Sequence, residues 1–330
     1  AQLKDRIKPV LDLGAFCRLL LGTRELLDFQ RFSSKEFDYP VVLTLDVESS
    51  YSVWAWGNPD LGGSIDNVRD ILADDVISMC SNSSAFAAIR RNGEVVAWGD
   101  PTGGGDTSGC QADNVLAICS NKTVFVALKK DGSVIAWGDP DNGGDITQVA
   151  DELSSGVTEI CCNDYAFAAL RNDGSVVTWG SPENGGDMGE AASSLATGIK
   201  AIYNSHLAFV ALNDDGGVVA WGHPDYGGCT DGVAKDLTSD VIAIYNNDYA
   251  FAALKEGGRV VVWGNSCGGG EVSTKIAEQL SSGVIAIYRN EGAFVALKAG
   301  GIAVAWGDPE GGGDASLVSQ ELQGNVISVQ

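Results

Sequence analysis

The sequence predicts an all-β protein, a seven-bladed β-propeller built from repeats of about 42 residues, with an amphipathic helical extension at its N-terminal end. Three observations carry this. Trp-Gly recurs at Trp56, Trp98, Trp137, Trp179, Trp221, Trp263 and Trp306, at spacings of 42, 39, 42, 42, 42 and 43 residues. Each interval holds three short runs rich in Val, Ile, Ala and aromatics, bounded by Asn, Asp and Gly. The two ends of the chain also carry complementary parts of one further repeat.

The copy around Trp263 shows the template: VIAIYNN from Val241, YAFAALK from Tyr249, a turn at Gly257-Gly258, then RVVVWG ending at Gly264. The second and third runs are joined by Asn92-Gly93, Asp131-Gly132, Asp173-Gly174 and Asp215-Gly216, pairs that tolerate the positive φ of a tight hairpin. Pairing is therefore local and antiparallel. One such meander cannot bury both of its faces and must stack on its neighbours. After each Trp-Gly comes a second turn, as in DPTGGGD at 100–106, DPDNGGD at 139–145, SPENGGD at 181–187 and DPEGGGD at 308–314, where Pro presets φ and Gly reverses the chain. Between this turn and the next repeat, apolar residues four apart, such as Val272, Ile276 and Leu280, predict a short helix; the segment before Val115 is shortened and predicts none.

The repeats occupy residues 41–330. Val326-Ile327-Ser328-Val329 matches only a first strand, and the run from Val41 to Gly57 matches only a second and a third. Together they make one repeat, the phase expected of a ring closed by pairing its two ends, which also removes exposed sheet edges. An open β solenoid is the competing architecture and would need a cap at each end. Residues 1–40 form the N-terminal extension, where Leu13, Phe16, Cys17, Leu20 and Leu27 fall on one helical face and Pro9 suits a first turn. Packing on the propeller is the plain expectation for this helix. The sharper one makes Leu13, Phe16, Leu20 and Leu27 a contact with a partner, or a peripheral association with a membrane.

Composition narrows function. Residues 1–40 hold 7 of the 21 Lys and Arg and 6 of the 44 Asp and Glu, so the repeats carry 14 basic against 38 acidic groups and account for the formal charge of −23. Such a surface repels phosphate backbones, which excludes direct nucleic-acid binding and favours protein subunits with a basic surface. The turn carboxylates Asp100, Asp106, Asp187 and Asp314 are the candidate contacts. No run of eighteen uncharged apolar residues predicts a membrane-spanning helix. The eight Cys lack paired zinc spacing, and a reducing intracellular or organellar compartment is the expectation. No cofactor is called for.

Asp139, Asp141 and Asp145 alternate like oxygen ligands of a calcium loop, but other copies place Ser181, His223, Cys229 and Ser266 there, so turn capping is the stronger reading. The seven Trp are read as wedges between blades, since identical placement in every copy serves stacking better than a single site. Cys80, Cys119 and Cys161 share one template position with Tyr203, Tyr245 and Tyr288, which reads as core filler rather than a thiol cluster. His206 and His223, the two histidines, belong to no triad or metal pattern, and no catalytic motif appears, so no enzyme is predicted.

The unit V-x-x-I, A-F-A-A-L, D-G-S-V-V-x-W-G with a Gly-rich turn resembles the repeat of the regulator of chromosome condensation family, most closely at Asp131-Gly132-Ser133-Val134-Ile135-Ala136-Trp137-Gly138. The resemblance covers residues 41–330 and implies a seven-bladed propeller. The chain departs from the family in having Ala or Val where His usually precedes the second strand, Gly-Gly-Asp in place of Gly-Gln-Leu-Gly, and shorter units. It shows neither the inserted wedge nor the basic surface that the founding member's exchange activity and chromatin contact require, so neither is carried over. Its Asp-Pro-x-x-Gly-Gly-Asp turns look similar to repeats of certain single-celled algae. The resulting expectation is a noncatalytic protein-interaction scaffold, with two alternatives: a peripheral subunit of an organellar membrane complex, or a propeller binding an ion or small ligand.

Overall fold

The computed structural model describes residues 53–324, 326, 327 and 329, together with the strands β1 (Cys17–Leu21), β2 (Arg24–Glu25) and β3 (Leu43–Val47). Six three-stranded antiparallel sheets follow one another along the chain, each in the simple order first, middle, third. The first strands are Val76–Ser81, Val115–Ser120, Val157–Cys162, Ile199–Asn204, Val241–Asn246 and Val284–Arg289. Each runs into a short tip, a middle strand such as Ala166–Arg171, a hairpin, and a third strand such as Val176–Gly180 that ends on the template Trp-Gly. These sheets are the blades of an all-β propeller architecture, with first strands of successive blades lying side by side.

The middle strands are buried on both faces because a blade packs on each side of them. Val124, Val126 and Leu128 of one blade meet Phe167, Ala169 and Trp179 of the next, and Ala166, Ala168 and Leu170 meet Phe209, Ala211 and Trp221. Within a blade Phe stacks on Trp, with ring centroids 5.3–5.5 Å apart. Burying each such aromatic contributes roughly 1.5–3 kcal/mol. Trp98, Trp137, Trp179, Trp221 and Trp263 are buried, and each indole N–H donates to a glycine carbonyl in the turn one repeat earlier, at 2.9–3.1 Å. The geometry of that turn demands glycine. Gly104 has φ +91°, and a Cβ there would stand 2.8 Å from the Phe125 ring of the next blade. Trp306 is equally buried, but its indole nitrogen has no partner among the described residues.

Two backbone bonds repeat between blades. The first residue of a first strand donates to the preceding hairpin glycine, as Val115 to Gly93, Val157 to Gly132, Ile199 to Gly174 and Val241 to Gly216. The first residue of a third strand donates to the end of the following connection, as Val134 to Leu153, Val176 to Leu195, Val218 to Leu237 and Val260 to Leu280. That connection is irregular in most repeats and becomes a helix, α1 (Thr274–Gln279), where Ser273 caps it.

The N-terminal extension departs from expectation. Cys17–Leu21, which includes Leu20, is a strand and not a helix, paired antiparallel with Leu43–Val47 from Cys17 opposite Val47 to Leu21 opposite Leu43. A short apolar run such as Leu19-Leu20-Leu21 satisfies either periodicity, and a partner segment decides it. Leu13, Phe16 and Leu27 lie outside the described residues. Trp56 also departs from its repeat: it is 86% exposed, and residues 53–57 form no strand.

Candidate interaction face

Because the first strand runs to the tip, the middle strand returns, and the third strand runs out again, the tips and the Asp-Pro turns share one face of the blades. The hairpins occupy the other. Each tip is opened by Asn or Ser: Asn82, Asn121, Asn163, Ser205, Asn247 and Asn290. Asn163 shows why. Its Oδ1 accepts from the backbone of Tyr165 and Ala166 at 3.0 and 2.8 Å, while its Nδ2 donates to the Asn184 carbonyl in the next turn at 2.6 Å. One buried amide thus ties the inner tip to the outer turn.

The next residue of each tip joins a continuous backbone chain from blade to blade. Ser83 donates to Lys122, Lys122 to Asp164, Asp164 to His206, His206 to Asp248 and Asp248 to Glu291, at 3.0–3.4 Å. Ser83, Lys122, Asp164, His206 and Asp248, with Ser120, Cys162, Asn204 and Asn246 below, line an open polar depression of about 400 Å³. Lys122 Nζ lies 2.7 Å from Asp164 Oδ2 and 5.0 Å above the Tyr165 ring, and the neighbouring carboxylate raises the lysine pKa. His206 stands between two carboxylates, Nδ1 3.1 Å from Asp164 and Nε2 3.2 Å from Asp248. Both contacts are hydrogen bonds when both ring nitrogens carry hydrogen.

Outside this ring lie the predicted carboxylates. Asp100 and Asp139 each accept from the backbone two residues on, Thr102 and Asp141, and Asp139 Oδ2 also takes Asn142 Nδ2 at 2.7 Å. Asp106, Asp145, Asp187 and Asp314 do the same with Ser108, Thr147, Gly189 and Ser316. Those backbone N–H groups hold Asp106, Asp145 and Asp314 below the ordinary carboxylate range. Asp139 and Asp145 thus point oxygen at their own turns, and among the described residues no three His, Cys, Asp or Glu side chains are grouped to hold a metal.

The two faces differ sharply in charge. On the tip face Asp100, Asp139, Asp141, Glu183, Asp225, Asp248, Glu291, Asp308 and Glu310 stand against Lys122 and Arg289. The cations cluster at the hairpin end and are neutralised there, Lys129 by Asp113 at 2.5 Å, Arg259 by Asp236 at 2.8 Å and Arg90 by Glu94 at 3.1 Å. Neither the segregation nor the tip chain emerges from the linear sequence until the tips are aligned. Ser83, Lys122, Asp164, His206, Asp248 and Glu291 share one column, the signal that could have found them.

The cysteine column lies just beneath. Cys80 Sγ and Ser120 Oγ are 3.2 Å apart across two blades, and Cys161 Sγ meets Asn204 Oδ1 at 3.2 Å. Burial pushes the Cys161 thiol up, and a hydrogen bond with Cys162 together with burial does so for Cys119, which favours the protonated thiol at these two positions.

This is the anatomy of a propeller-type repeat protein with a preformed polar face. The model of the regulator of chromosome condensation (RCC1) repeat matches residues 157–185, one blade with its turn. Among solved structures, the chain is similar to yeast RCC1 (Prp20) bound to Kap60, at 16% identity and a TM-score of 0.43 over 74% of this chain and 72% of that one. Prp20p from Saccharomyces cerevisiae aligns at 17% identity and 0.42 over 77% and 80%, and human WBSCR16 at 16% and 0.42 over 70% and 77%. No curated protein matches the sequence.

Proposed function

We propose that the protein is a noncatalytic interaction scaffold whose tip face docks a basic surface of a protein partner. The observation that supports this reading is the segregation of charge, with Asp100, Asp308 and Glu310, which make no salt bridge among the described residues, on a face where Lys122 and Arg289 are the local cations. Loops held by a rigid scaffold present such groups at small entropic cost, and complementary charge accelerates encounter and fixes orientation. Asp106, Asp187 and Asp314 extend the same surface outward. The test is capture from the native source with two charge-reversed variants. Asp100→Lys with Asp308→Lys and Glu310→Lys should release the partner that wild type retains, with at least a tenfold weaker Kd. Asp113→Lys with Asp131→Lys on the hairpin face should retain it. Equal binding by both variants would remove the tip face from the interaction.

A further inference from the structure

The first strands of successive blades lie side by side, and the fifth and sixth residues of each make contacts across the gaps. Side chains alternate along a strand, so the two point opposite ways. The fifth residue faces the next blade: Cys80 Sγ lies 3.2 Å from Ser120 Oγ, and Cys161 Sγ donates to Asn204 Oδ1 at 3.2 Å. The sixth faces the blade before. Ser120 Oγ donates to the Ser81 carbonyl at 2.9 Å, Cys162 Sγ to the Ser120 carbonyl at 3.2 Å and Asn246 Nδ2 to the Asn204 carbonyl at 2.7 Å. One gap sets a thiol against a thiol. Between the strands Val115–Ser120 and Val157–Cys162 the fifth residue is Cys119 and the sixth is Cys162, and the two side chains are hydrogen-bonded to each other. Both pack on the apolar cluster that holds Val126 and Phe167, and both are free thiols. Cys161, although next in sequence to Cys162, is turned away to Asn204.

We propose that Cys119 and Cys162 form a redox-active dithiol, a site of reversible disulfide formation that joins two blades and takes a low-molecular-weight disulfide as its oxidant. The new S–S bond requires Cβ vectors that face each other, and the equivalent contacts of Cys80 and Cys161 show that the fifth and sixth residues do so. The two thiols have different roles. Cys162 borders the open polar depression beside Ser120 and Asn163, whereas Cys119 stands behind it, so a small disulfide reaches Cys162 first. The hydrogen bond from Cys119 holds the Cys162 thiol below its ordinary value against the effect of burial, which favours the attacking thiolate there. In the first step the Cys162 thiolate bonds to one sulfur of the small disulfide; the S–S bond breaks, and the other half leaves and takes up a proton. In the second, Cys119 gives up its proton, bonds to Cys162 Sγ and expels the remaining half as a second thiol. Two electrons pass from the cysteines to the small disulfide, and the two protons they release balance those taken up by the departing thiols. None of this depends on whether the tip face docks a partner.

The test starts from the unaltered full chain, reduced and then incubated with oxidised glutathione. After acid quenching, alkylation and digestion without reductant, mass spectrometry identifies bridged and glutathione-bearing peptides, with the exposed Cys229 and Cys267 as internal comparison. A bridge from Cys119 to Cys162 is expected in the majority of chains. Glutathione on Cys229 and Cys267 while Cys119 and Cys162 remain reduced, or bridge elsewhere, overturns the proposal. Cys161→Ser should keep the bridge and Cys162→Ser should lose it. The order of attack is read from the mixed disulfides. Cys119→Ser retains a hydroxyl donor and should hold glutathione at position 162, while Cys162→Ser should take up about tenfold less at position 119 in the same time. Equal uptake at the two positions would remove Cys162 as the attacking group.

Discussion

The aspartates that follow each Gly-Gly turn do local work before any partner arrives. Asp106, Asp145 and Asp314 accept backbone N–H groups from Ser108, Thr147 and Ser316, and these bonds favour the charged carboxylate. Folding therefore lowers their pKa, so the stabilisation is fully present above the unfolded value of about 3.9 and is lost as pH falls through the lower folded values. The triple variant Asp106→Asn, Asp145→Asn, Asp314→Asn should be less stable than wild type at pH 7. That difference should shrink below about pH 3, where wild type has lost the same charge. Urea unfolding at the two pH values reads it, and a constant difference would assign the loss to something other than ionisation. At this scale the sequence was informative about Asp145 and Asp139, whose Pro-Gly context already spoke for capping. It was uninformative about His206, because its partners Asp164 and Asp248 lie one full repeat away on either side.

At the scale of the element, the legible parts were those whose causes are local. Asp131-Gly132 and its homologues specify the hairpins, and the continuous apolar run Ala166-Phe167-Ala168-Ala169-Leu170 specifies a strand buried on both faces. Cys17–Leu21 was misread because its structure depends on a segment more than twenty residues away. The tips were missed for a related reason. Asn163 reads as a turn residue in sequence, yet its amide also reaches the Asn184 carbonyl of the outer turn. The inter-blade core makes its own demand on sequence: Phe167 is fully buried, stacks on Trp179 at 5.3 Å and packs on Val126 and Leu128 of the blade before. Phe167→Ala empties a site that rigid neighbours on both sides cannot close, and should cost about 3–5 kcal/mol. Denaturant midpoints check this, and a loss under about 1 kcal/mol would mean that the blades slide to fill the space.

For the whole molecule, the same charge acts in two directions. The repeats carry a large acidic excess, which repels itself when the chain is compact, while the carboxylates of the tip face supply the attraction for a basic partner. Salt screens both. The Debye length falls from about 30 Å at 0.01 M to about 8 Å at 0.15 M, so repulsion between blades fades together with long-range steering. Raising salt over this range should therefore raise the melting temperature of the free protein while it slows association and weakens the complex. The two trends have opposite sign and one cause. A charge-reversed tip face, with three acidic groups made basic, should show a smaller salt effect on binding and a smaller gain in melting temperature. Calorimetry of the free protein and association kinetics of the complex in the same buffers test the pair. If salt strengthened binding, apolar contact would have to dominate the interface, and the exposed apolar groups near the open blade borders, Trp56 and Ile327 among them, would replace the carboxylates as the docking surface.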